Sequence, residues 1–361
     1  MERLPDALTL TLLDDAFRTQ GHAEQLRATL RAGAALAERF AHGPRVVAVR
    51  SLPLTTLPYP TRYAFGAAAL SPAPFVMLTH RCLLVQFLQR GIPKTLLFNP
   101  TDVVAARKTP FFARLAVEVG ERLTTWMATT GDPLEAQLAT LGLSAEDVDY
   151  VAFDHFHTQD LRGLLGTTDG QKAARFPNAT LLAPAAEWDE WDDLHPVQRA
   201  WFVADGRRGV DERRVVRTTT DLALGDGVML LRTPGHTSGN QTLFVSTDTG
   251  VWGISENGTC ADNWSPLESR IRGVAFTAKT QELDVILNSN TPERYARQYT
   301  SMMLEKTLAS RARRAPGFVQ MLSSSEVTPH FTAPGLDPTI VFGGLVSGDL
   351  IRPKAQRGGV A

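Results

Sequence analysis

Residues 150–166, YVAFDHFHTQDLRGLLG, decide how this chain is read. The first four are apolar and fit a short buried strand, and the run breaks into charged and polar residues at Asp154. His155 and His157 stand two apart directly after the strand. In extended backbone, residues i and i+2 point to one side, so both imidazoles can converge on a single cation. Asp154, Gln159 and Asp160 crowd the same turn. The C-terminal ends of strands are where open α/β sheets place ligands, which makes this turn a candidate site.

Working outward, a third histidine, His236, follows the apolar run 228–232, VMLLR, in the segment 233–239, TPGHTSG. Pro234 and Gly235 there favour a turn that exposes the ring. Three imidazoles suit zinc, or iron with a carboxylate added. The surrounding chain supplies strands before helices, twice over. An antiparallel meander is expected from 46–60 and 74–100, helical patterning over about 110–141, strands at 179–184, 228–232, 242–246 and 251–255, and a helix within 293–314. Two βα halves of this kind pack as an αββα sandwich. Residues 1–50, with an amphipathic helix at 23–40, form an N-terminal extension, and 51–350 the main domain with a long polar insert at about 257–290.

His155-Phe-His157-Thr-Gln159-Asp160-Leu-Arg-Gly163-Leu164 resembles the His-x-His-x-Asp-His-x-Gly-Gly motif of metallo-β-lactamase-fold hydrolases, and Thr233 to Gly239 resembles their second signature. The two stand in the family order, about 80 residues apart, and the resemblance spans roughly residues 60 to 345. It implies an α/β (α+β) four-layer αββα fold with metal between the loop edges of two sheets. It also implies departures. Gln159 and Asp160 stand where the family has Asp and His, so a neutral amide replaces a ligand of the usual second metal. Glu256, in GISENG, stands for the bridging Asp. His330 is the candidate for the last family histidine. Two arrangements follow. In one, His155, His157 and His236 hold one zinc while Asp160, Glu256 and His330 hold a second, altered site. In the other, a single ion is bound by those three histidines with Glu256, as in the mononuclear iron branch of the fold that oxidises persulfides.

A metal-bound water has its pKa lowered from about 15.7 toward about 7, and the same cation polarises a carbonyl, so the resemblance implies metal-hydroxide attack on a small ester, lactone or related acyl substrate. The alternatives are the iron oxidoreductase, or a non-catalytic scaffold with a degenerate metal site. Asp160 is either the group that orients the water and carries its proton or a carboxylate that fixes a histidine tautomer. Asp154 is read as a supporting or turn-capping residue. Trp188, Trp191 and Trp201, with His195, are read as the wall of a substrate pocket or as helix packing. Arg270 is a candidate clamp for a substrate carboxylate or phosphate, against the reading of an exposed loop. Tyr59, Tyr63 and Phe65 fall in the early meander that supplies a loop over the metal in the family.

The chain has 361 residues, 43% hydrophobic and 21% charged, which fits a folded globular protein and excludes wholesale disorder. Its 37 Lys and Arg against 38 Asp and Glu leave a net charge of -1, so no global field recruits nucleic acid or an anionic membrane. The expected partner is a small molecule, with a homodimer left open. The first residues lack the basic flank and apolar run of a secretory signal, which points to the cytoplasm. Two cysteines, Cys82 and Cys260, are too few for a disulfide framework and read as buried thiols. No G-x-S-x-G nucleophile elbow occurs.

Overall fold

The computed structural model describes residues 6–120 and 128–352. Two sheets face each other. The larger contains β2 (Ala48–Pro60), β3 (Phe75–Gln89), β4 (Ile92–Phe98), β5 (Tyr150–Ala152), β6 (Thr180–Pro184), β7 (Val215–Thr218), β15 (Ser325–Thr328) and β16 (Val346–Gly348). Its order is β16-β2-β3-β4-β5-β6-β7, with β15 also paired to β3. The smaller has the order β1-β8-β9-β10-β11-β14. Its strands are β1 (Leu8–Leu10), β8 (Asp221–Gly225), β9 (Val228–Arg232), β10 (Gln241–Thr247), β11 (Gly250–Ser255) and β14 (Met321–Ser323). β12 (Arg311–Ala312) and β13 (Ala315–Val319) make a separate ribbon.

Alternation along the strands explains the layering. Leu83, Val85 and Phe87 of β3 meet Leu243 and Val245 of β10 in the core between the sheets. Cys82 and Leu84 of β3 point the other way, into a core shared with Leu134, Leu138, Leu161 and Leu164 from short helices. Phe244 of β10 likewise faces outward, onto Met302, Leu304 and Leu308 of the helix Tyr295–Leu308. Central strands buried on both faces must be apolar at consecutive positions, which is why these segments read as continuous hydrophobic runs. Each such side chain contributes roughly 1.5–3 kcal/mol on burial. The result is the αββα sandwich expected from the sequence. The β3–β4 hairpin closes through Arg90 and Gly91, with φ of 50° and 79°, the pair of left-handed residues that a two-residue type I′ turn requires.

Two expectations meet a different arrangement. Residues 6–50 are part of the sandwich. β1 pairs with β8 at the edge of the smaller sheet, and the helix His22–Ala41 packs on Tyr295–Leu308, where Gly33 leaves room for Leu304. The boundary drawn at 50/51 falls inside β2. The segment 257–290, polar in composition, is largely buried around Asp262, Asn263 and Trp264. Asn263 accepts from the backbone N–H groups of Thr259 and Cys260 and donates to the carbonyls of Ala64 and Ile286. Polar composition predicts exposure only when the partners lie in water; here they lie in the chain. The helical patterning of 110–141 gives Pro110–Val119 and Leu134–Thr140, with 121–127 outside the described residues. Both cysteines are buried and free.

The last crossing positions the site. β14 runs parallel to β11 in the smaller sheet and β15 pairs with β3 in the larger, so the chain passes between sheets at Ser324.

Candidate metal centre

β5 ends at Ala152, and the turn that follows is anchored by Asp154. Its backbone N–H donates to Asn99 Oδ1, and its Oδ2 accepts from Asn99 Nδ2 at 3.0 Å and from the Ser324 hydroxyl. Its Oδ1 accepts from the N–H of His155 and faces His155 Nδ1 at 2.7 Å. That commits one ring nitrogen of His155 and leaves Nε2. His157 Nε2 lies 2.8 Å from Gln198 Oε1, and its Nδ1 is buried with no partner. His236 sits on the loop between β9 and β10, its backbone N–H donating to Asn257 Oδ1 at 3.1 Å, and its Nδ1 is also buried with no partner.

The three rings come together. Centroid separations are 4.7 Å for His155–His157, 4.5 Å for His155–His236 and 5.0 Å for His157–His236. One nitrogen from each lies within 4.8 Å of the others, the one group of this kind among the described residues. Zinc–nitrogen bonds of about 2.0–2.1 Å place tetrahedral nitrogens ~3.3 Å apart, so a small contraction closes the triad on an ion. Buried ring nitrogens without partners are costly unless something binds them, which is a second reason the triad fits a cation.

Electrostatics point the same way. Burial, and then the neighbouring imidazoles, hold His157 and His236 well below the usual histidine range, so both rings are neutral and able to donate a lone pair. Burial also opposes charge on His155, but the Asp154 carboxylate outweighs it and raises the value. Glu256, buried and accepting from the N–H of Ser325 at 2.9 Å, is pushed up to about 8 by burial and by Asp154. A cation among the histidines reverses that push.

Two carboxylates behind the rings hold the loops together. Glu187 Oε1 accepts from the N–H of Phe156, between the paired histidines, at 2.7 Å, and Oε2 accepts from the hydroxyl of Thr237, next to His236, at 2.9 Å. Glu305 accepts from Thr242, Ser255, Asn257 and Trp264, and Asn257 carries the contact on to His236.

A cavity of about 100 Å3 opens over the triad. Asp154, Gln159 and Glu256 line it with the histidines, as do Tyr59 and Trp201. The Trp201 ring stacks on His157 at 5.6 Å and on Phe111 at 4.0 Å. The other sequence candidates stand elsewhere. Asp160 does not face the cavity as a ligand or proton carrier; it caps the helix Leu161–Leu165, and its oxygens accept from Arg162 and Lys172. The fork of Arg162, two residues on, is a closer partner than the triad. His330 is half-buried away from the cavity, its Nδ1 2.7 Å from the Thr332 hydroxyl. Trp188 and Trp191 pack on Phe156 beneath the turn, with Arg207 over Trp188, and do not reach the cavity wall. His195 and Arg270 are exposed and outside it.

Sequence reading missed His80, which lies in the cavity wall with Thr101 and Ser325. Its only signal is the pair His80-Arg81 inside an otherwise apolar strand, 76-VMLTHRCLLV-85. Glu187 and Gln198 carry no local signal at all.

No protein-family model matches the chain, and no curated protein matches it. Solved structures do. One is a probable metal-dependent hydrolase from Staphylococcus aureus, 15% identical, covering 85% of this chain and 99% of its own, with a TM-score of 0.54. Another is AidC, a dizinc quorum-quenching lactonase in complex with a product, N-hexanoyl-L-homoserine, 13% identical, covering 86% of this chain and 97% of its own, with a TM-score of 0.51. With the two facing sheets and the histidine turn at the end of β5, the chain has the metallo-β-lactamase type of fold.

Proposed function

We propose that this protein is a metal-dependent hydrolase of small acyl substrates, esters or lactones, centred on His155, His157 and His236. The observation that carries this reading is the convergence of three buried imidazoles, two of them held neutral, at the floor of a cavity whose walls are largely apolar. An ion held there, zinc by the nitrogen-rich donor set, activates water at neutral pH and polarises a carbonyl. Asp154 holds the tautomer and direction of His155, and Gln198 does the same for His157. Glu256, in the same cavity, is the carboxylate available to take the proton of an attacking water. Leu57, Leu78, Val103 and Phe112 line the cavity with Trp201 and suit the apolar part of an acyl group. The space, at roughly 10–15 Å3 per water-sized probe, admits the reacting end of a small substrate rather than a polymer.

The test is metal analysis of protein purified without added metal, followed by hydrolysis of p-nitrophenyl esters and of γ-lactones of increasing acyl length. Expected are bound zinc and chelator-sensitive hydrolysis that is lost in His157→Ala. Bound iron with oxidation of a thiol persulfide, or a zinc-loaded protein inert to every ester and lactone, overturns the reading.

A further inference from the structure

We infer that the centre is built for one metal ion, because the groups around the triad that a second ion would need are already committed to one another. The inference rests on the reading of the triad as a metal site and concerns how many ions it holds. The resemblance in sequence left one ion and two ions open, with Asp160, Glu256 and His330 as the candidates for a second.

Taken in turn, these groups are unavailable or insufficient. The oxygens of Asp160 accept from Arg162 and Lys172, and the residue lies outside the cavity. His330 is likewise outside, beside Thr332. Gln159 faces the cavity, but its Nε2 donates to Thr101 Oγ1 at 3.0 Å and to the carbonyl of His157 at 3.1 Å, which leaves one uncharged amide oxygen, a weak donor for a dication. His80, the remaining histidine in the wall, has both ring nitrogens engaged, Nδ1 with Ser325 Oγ at 2.9 Å and Nε2 with Thr101 Oγ1 at 2.8 Å. Asp154 accepts at both oxygens, from His155 on one side and from Asn99 and Ser324 on the other.

Only Glu256 is left, and it accepts from Ser325. A structural or catalytic zinc takes at least three protein ligands, so a second ion would have one carboxylate and water. Thr101 ties His80 to Gln159, and Ser325 ties His80 to Glu256. This hydrogen-bonded row forms the wall beside the triad from side chains bonded to one another, with Gln159 Oε1, an uncharged amide oxygen, the one buried acceptor in it that lacks a partner. Breaking it to seat an ion would orphan buried donors.

The experiment is titration of metal-free full-length protein with Co2+, read by visible absorption and checked by elemental analysis after gel filtration, with His157→Ala alongside. Expected is a spectral change complete at one equivalent, one retained ion per chain, and none retained by the variant. Two retained ions per chain, or a second spectral phase between one and two equivalents, overturns the single-ion inference while leaving the metal centre intact. No retained ion in the unaltered protein overturns the metal centre and this inference together.

Discussion

Asp160 and Glu187 show how little a carboxylate's place in the sequence says about its work. Asp160 is three residues from His157 but faces Arg162 and Lys172, whereas Glu187, thirty residues on, holds both histidine loops. Asp160→Asn is therefore expected to keep metal content and activity. It keeps a side-chain oxygen for the helix cap, since Asn caps about as well as Asp, and removes only the charge that the partly exposed Arg162 and Lys172 pair with, worth about 1 kcal/mol after screening. Burial opposes ionisation of Asp160, but Arg162 and Lys172 outweigh it and hold the carboxyl below its ordinary 3.8. A lowered folded value stabilises above the unfolded one and is lost as the pH falls through it. In metal-free protein the stability gap between wild type and variant should be full at neutral pH and close below about pH 3.8 in urea titrations; a gap unchanged at acid pH contradicts the ion pair. Glu187→Gln supplies one acceptor where two are used. Its metal affinity should fall about 10–100-fold, read by competition with a chelating dye, with the far-ultraviolet spectrum unchanged.

At the scale of an element, the 233–239 loop works because two glycines let it approach its neighbours. A Cβ on Gly235 would lie 2.3 Å from the Cα of Gln298 in the late helix, and one on Gly239 would lie 2.6 Å from Glu187 Cβ. Neither contact is with the far end of a flexible side chain. Gly235→Ala is expected to push the loop off the helix, costing about 1–3 kcal/mol by overpacking and weakening metal retention. Denaturation and metal content measured on the same preparation check it, and a variant with native stability and a full ion removes the packing account. The histidine turn after β5 and the strands flanking this loop were legible from sequence, since alternation and apolar runs are local properties. The Asn257 and Glu305 contacts behind His236 were not, because both come from segments far along the chain.

Across the whole molecule, the triad joins the two sheets. His155 and His157 follow β5 in the larger sheet, and His236 lies between β9 and β10 of the smaller. An ion bound only by the folded state then resists their separation, adding about 2.7 kcal/mol when free metal is a hundred times Kd. Chelation should lower Tm, restoring zinc should raise it with added zinc concentration, and His236→Ala should respond to neither. A Tm indifferent to chelator in protein shown to carry the ion contradicts this coupling. By itself the sequence determined the sandwich and the three imidazoles, since strand period and the spacing of His155 and His157 fix direction within a few residues. Only the tertiary structure decided what surrounds them: His80 and Ser325 meet because β15 crosses to pair with β3, and Asp160 turns away because Arg162 and Lys172 reach it first. Contacts of that kind depend on how distant segments meet in space, which no local period encodes.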